Sequence, residues 1–175
     1  MRSRIAVVMA IVTASGAIGV GQSAGRAQGA APGARAGGEG RGGGGGVVIV
    51  EQAPTDRSVA IPLEKLAGYY KDMDAKKVQT LRMLEGGRYN VNIRRITDAE
   101  TALVHPNTAD VWVVTEGAGI LTTGGTLDKG KIVGGQSHPI KVGDVEYIPA
   151  GVPHGVSGVT TGSITFLNIR FDTNY

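Results

Sequence analysis

The residues able to do metal or acid–base chemistry are few, and two of them stand close together. The chain has three histidines, His105, His138 and His154, and no cysteine. Disulfides, thiol catalysis and thiolate metal ligands are therefore excluded. His105 opens the stretch "HPNTADVWVVTEG" (105–117), and Asp110 follows just before an apolar run. His154 closes a second stretch, "GDVEYIPAGVPH" (143–154). Two imidazoles and a carboxylate suit Fe(II), Mn(II), Zn or Ni, with coordination positions left open for a substrate. Asn107 is a candidate weak oxygen ligand. The alternative is a metal-free polar pocket in which the two histidines bond to each other, to Asp110 or to water, and both readings stay open at this point. His138 lies in "GGQSHP" and is expected to be solvated. Ser137 beside it has no nucleophile elbow around it and does not point to a hydrolase.

Strands must carry these residues. From about Val78 onward the chain reads as short strands separated by glycine turns, which argues for an antiparallel sandwich or barrel. "RYNVNIRRI" alternates through Tyr89, Val91 and Ile93 and places Asn90, Asn92 and Arg94 on its other face. At least one of Arg94 and Arg95 faces the opposite side from Ile93, where it either meets an anionic substrate inside the barrel or, the favoured reading, sits on a solvated outer face. "DVWVVTEGAGILTTGG" is predicted to be a hairpin turning at Glu116–Gly119, with Trp112 in the core or at a subunit contact. Tyr147 is expected in the pocket or the core. In "GSITFLNIRFD" the core face is assigned to Thr165, Leu167, Ile169 and Phe171. The face of Ile164, Phe166, Asn168 and Arg170 turns polar toward its end. Upstream, "VVIVEQ" (47–52) predicts a strand, and the spacing of Leu63, Leu66, Ala67 and Tyr70 after Pro62 predicts a short helix near 62–73.

The first 46 residues have another character. "MRSR" followed by an uncharged, mostly apolar run and then small residues predicts a secretory signal peptide over 1–27. Residues 28–46 predict a Gly-rich disordered linker, followed by an N-terminal strand and helix extension (47–77) and a barrel domain (78–175). Five arginines and one glutamate fall in residues 1–46, which leaves 13 basic against 14 acidic residues beyond them. The basic balance belongs to the leader and linker and does not indicate a nucleic-acid surface. The match of "GEGRGG" to a dinucleotide-binding pattern has no strand before it and no helix after it, so no nucleotide cofactor is expected.

The order Gly143, five residues, Pro149, one residue, Gly151, two residues, His154 resembles the second motif of the cupin family, with Gly158 where that motif ends in Asn. Asp110, six residues, then Gly117 resembles the end of the first cupin motif, with Asp for Glu. That motif's paired histidines are incomplete here: beside His105 stands either Leu103 or Asn107, depending on alignment. The resemblance covers roughly residues 78–172. It implies an all-β jelly-roll β-barrel, here with a short N-terminal helix, that binds a small molecule and is often a homodimer. It also implies a divalent ion on His105, Asp110 and His154, with Asn107 as the weak fourth. An enzyme on this plan would be a metal-dependent oxidoreductase or isomerase; the other reading is a non-catalytic binding or assembly module. With the leader, these readings predict an exported protein, periplasmic or extracellular, with no membrane association after cleavage.

Overall fold

The computed structural model describes residues 47–174. The predicted signal peptide and Gly-rich linker lie outside the described residues. Among the described residues no helix is long and apolar enough to cross a membrane.

Two long strands carry the architecture. β4 (Thr108–Thr123) and β9 (His154–Asp172) pair antiparallel from end to end, from Thr108 opposite Asp172 to Thr123 opposite His154. On the far edge of β9 lies β3 (Tyr89–Ile96), then β2 (Thr80–Glu85), then β1 (Val48–Gln52), which is parallel to β2. The far edge of β4 is shared: its first half pairs with β8 (Val145–Ile148) and its second with β7 (Gln136–Lys141). β5 (Thr126–Asp128) and β6 (Lys131–Val133) form a separate two-stranded hairpin.

The predicted hairpin in "DVWVVTEGAGILTTGG" is not formed; β4 runs straight through it. Its ladder with β9 shifts register between Val114 and Glu116 and again between Gly117 and Gly119. Gly117 has φ +69°, and a Cβ there would fall 2.0 Å from the Ser163 carbonyl oxygen. Glycine thus bends two paired strands together at a bulge instead of reversing one strand. The Thr161 hydroxyl oxygen accepts from the Ala118 N–H at 2.7 Å and fixes the bend.

The sheet packs on an interior cluster on one face and, over β2, β3 and part of β9, on a helix on the other. Inside, Trp112, Val114, Leu121, Val156, Ile164 and Phe166 join Ile96, Ile140 and Ile148 in one apolar cluster. Trp112 stacks on Phe166 with ring centroids 4.2 Å apart. On the other face lies α1 (Leu63–Lys76), whose Met73 packs against Leu81, Met83 and Ile93. Burying one such side chain contributes about 1.5–3 kcal/mol. The helix starts after Pro62 and ends where Lys77 takes a left-handed conformation (φ 54°), so it runs one turn beyond its predicted end. Arg95 secures it from the sheet: Nε donates to Asp74 at 2.8 Å and Nη1 to Glu116 at 2.7 Å.

This two-sided burial reverses the face assignment of the final strand. Ile164, Phe166, Asn168 and Arg170 point into the interior, while Leu167 packs toward α1. Arg94 takes the less favoured of its two readings: it is 7 % exposed and shares the interior face with Asn92. Tyr147, expected in the pocket or core, is exposed.

Candidate metal centre

Backbone pairing brings the two histidines together. Pro149, lacking an N–H, ends β8, and Gly151 (φ +79°) makes the turn that follows. The Gly151 N–H donates to the His105 carbonyl at 2.8 Å. His154 and Leu103 exchange backbone hydrogen bonds of 2.9 and 3.0 Å as an isolated bridge. The 103–107 segment is therefore not a regular strand; it is pinned at two points to the turn that delivers His154. The imidazole centroids of His105 and His154 lie 5.5 Å apart.

β4 supplies the carboxylate. Asp110 and Trp112 occupy alternate positions on its interior face, opposite Arg170 and Asn168 of β9. One ligating atom each from His105, Asp110 and His154 lies within 4.8 Å of the others. Asp110 is fully buried, His154 is 3 % exposed, and His105 is half-buried.

The tautomer of His154 follows from its surroundings. Its Nδ1 lies 2.9 Å from the Val152 carbonyl, an oxygen that can only accept, so Nδ1 carries the proton. In the neutral ring Nε2 is then an acceptor, and it faces Asp110 Oδ2 at 3.2 Å without a hydrogen bond. A proton on Nε2, which makes an imidazolium paired with the carboxylate, or a cation between the two atoms satisfies this contact. A backbone carbonyl on one imidazole nitrogen is also the arrangement that presents the other nitrogen to a metal. The donor set fits a divalent ion, which His105, Asp110 and His154 could hold together.

Asp110 is kept ionised. Burial alone would raise its pKa, but contact with His154 and the positive charge of Arg170 outweigh it, and the net shift is downward. Arg170 Nε lies 3.2 Å from Asp110 Oδ1.

Asn107 takes no visible part. Pro106 and Asn107 form a turn that leaves Asn107 exposed, and its carbonyl accepts from the Thr173 N–H and hydroxyl. His138 stands apart on β7, paired with Glu146 at 3.2 Å. The sequence reading passed over Asn168, which is fully buried; its Nδ2 donates to Asp110 Oδ2 at 3.4 Å.

Beside its apolar cluster the interior also carries polar pairs. Arg82 pairs with Glu85, Arg94 with Glu100 and Arg170 with Asp110. Arg82 Nε donates to Asn92 Oδ1 at 3.1 Å, and Asn92 Nδ2 donates to Asn90 and to the Asn168 carbonyl. A separate groove of about 370 Å³ is lined by Glu100, Thr122, Ser137, Gly155 and Ser157, among others, but by none of the triad. Thr122 and Ser157 alternate with buried Leu121 and Val156, so their hydroxyls face away from the core.

Comparison with solved structures places this architecture. A protein of Bacillus halodurans superposes with a TM-score of 0.52 at 17% identity, over 69% of this chain and 86% of the other. A Klebsiella pneumoniae protein with a double-stranded β-helix domain gives 0.44 at 21% identity, over 55% of this chain and 75% of its own. A cupin protein of Bacteroides fragilis gives 0.40 at 15% identity, over 58% and 74%. No family model and no curated protein matches the sequence. The chain is all-β and shares its fold with the Bacillus halodurans protein, and at that identity the likeness is one of fold alone.

Proposed function

We propose that this protein is an exported small-molecule-binding cupin that holds a divalent transition metal on His105, Asp110 and His154. The observation that carries the reading is the convergence of His105, Asp110 and His154: one ligating atom of each lies within 4.8 Å of the others, and Asp110 and His154 are buried. A bound ion would polarise a substrate oxygen, the chemistry shared by metal-dependent oxidoreductases and isomerases. The chain's own residues set what can enter. Each interior arginine is matched by one carboxylate, so apart from the charge of the ion itself the surface is neutral but strongly hydrogen-bonding. A small compound rich in oxygen fits that surface; an apolar one would strand its donors. Export rests on the predicted leader, and a homodimer remains part of the proposal.

A second reading has one observation in its favour. Arg170 already sets a positive charge beside Asp110, so the carboxylate can be neutralised without a metal. The protein would then be a metal-free binding or assembly module. Calorimetric titration of apo-protein with Zn²⁺ and Mn²⁺ separates the two. Saturable binding of one ion, lost in His154→Ala, supports the metal reading; no heat of binding from either ion supports the second.

A further inference from the structure

We propose that Asn168, through its side-chain oxygen, is the fourth protein ligand of this centre, a role that rests on the metal reading above. The triad offers two nitrogens and one carboxylate oxygen, and Asn107 is turned out to solvent. Asn168 stands where a fourth donor is needed. It lies in the last third of β9, flanked by a paired strand on each side, opposite Trp112 of β4 and Asn92 of β3. Its carbonyl holds Asn92 Nδ2 at 3.2 Å, so its backbone position is well determined. Its amide ends 3.4 Å from Asp110 Oδ2, the same oxygen that meets His154 Nε2 at 3.2 Å. Separations of about 3.4 Å are those between neighbouring ligands of a tetrahedral ion with bonds near 2.1 Å.

The amide is also incompletely used. Asn168 is fully buried and its Oδ1 has no hydrogen-bond partner. The bond from Nδ2 to Asp110 is long beside the usual 2.9–3.0 Å or so. The two ends of a carboxamide have nearly the same shape, and half a turn about χ2 exchanges them. In the metal-free site Nδ2 faces the carboxylate, as attraction requires. With a cation between them, Oδ1 takes that place, and the otherwise unpaired acceptor is satisfied. The sequence position is distinct from the first-motif histidines, so the ligand set is completed from the last strand instead of from the segment before β4.

The test is the Zn²⁺ and Mn²⁺ affinity of Asn168→Ala and Asn168→Asp, read by calorimetry and by metal-induced thermal stabilisation, with circular dichroism as the check on folding. Ligation through Oδ1 predicts that Ala weakens binding by about 100-fold or more, beyond the roughly 10–100-fold typical of outer-shell residues. It also predicts that Asp, which keeps an oxygen there, binds at least as tightly as wild type. An Ala variant within about threefold of wild type overturns the proposal while leaving the triad standing. An Asp variant weaker than Ala overturns it in favour of Nδ2 as a positioning donor to Asp110. A wild-type protein that binds neither ion removes this proposal together with the reading it rests on. Should either variant fail to fold, a crystal structure of the wild-type protein with Mn²⁺ decides: Oδ1 bonded to the ion supports the assignment, and an amide turned away from it refutes it.

Discussion

Replacing Gly117 by alanine tests whether β4 bends against β9 or turns back on itself. Two costs add at this position. The φ of +69° is left-handed, which costs a residue with a Cβ about 1–2 kcal/mol. The new Cβ would also lie 2.0 Å from the Ser163 carbonyl oxygen and 2.7 Å from Thr161 Oγ1. The first neighbour is backbone and cannot swing away, so overpacking of about 1–3 kcal/mol follows. Gly143→Ala is the control: φ is +93° and nothing lies within 4 Å of the added carbon. Alanine also reduces the entropy of the unfolded chain, but by the same amount in both variants. The difference between them, about 1–3 kcal/mol, is therefore the contact with Ser163. In urea, with a slope near 1.5 kcal/mol per molar, Gly117→Ala should unfold at a midpoint lower than Gly143→Ala by about 0.7–2 M. Equal midpoints would mean that Gly117 sits in an open turn, and the paired, bent strands would be refuted.

Other consequences are as direct. Arg94→Met should cost about 3–5 kcal/mol, because it leaves the buried Glu100 carboxylate without its ion pair. Adding Glu100→Gln should recover most of that loss in denaturant unfolding, since the Gln carbonyl can still accept from the Val156 N–H. Zn²⁺ at a hundredfold excess over its Kd should stabilise the protein by about 2.7 kcal/mol, or about 10 °C in Tm for a domain of this size. His105→Ala and His154→Ala should abolish that shift in a thermal melt. His138→Ala should leave it unchanged, because that side chain pairs with Glu146 on β8.

The second motif was the most legible part of the sequence because its function is local. Pro149 must stop pairing, Gly151 must adopt positive φ, and His154 must then enter a strand. The approach of His105 was legible only as a candidate, since it depends on the Gly151 N–H and the Leu103–His154 bridge, contacts distant in sequence. Gly117 misled because glycine marks both turns and bulges, and only the partner strand decides which. The faces of β9 were inverted for a related reason. Both are covered, one by the interior and one by α1, and the interior face is the more polar of the two. Hydrophobic alternation then points the wrong way. Arg94 was favoured for the outside and Asn168 went unrecognised on the same ground, although Asn90, Asn92 and Arg94 on one strand and Asn168 and Arg170 on the other already traced a polar surface. What the sequence could not carry was that these two surfaces lie side by side, Asn92 opposite Asn168.

The account turns on whether the buried contact between His154 and Asp110 is a place for a cation. Metal analysis of the protein after reconstitution with divalent ions and removal of excess by gel filtration answers this directly. About one equivalent in the wild-type protein, falling to background in His154→Ala, is the predicted result. Less than about one tenth of an equivalent of any transition metal in the wild-type protein would contradict it.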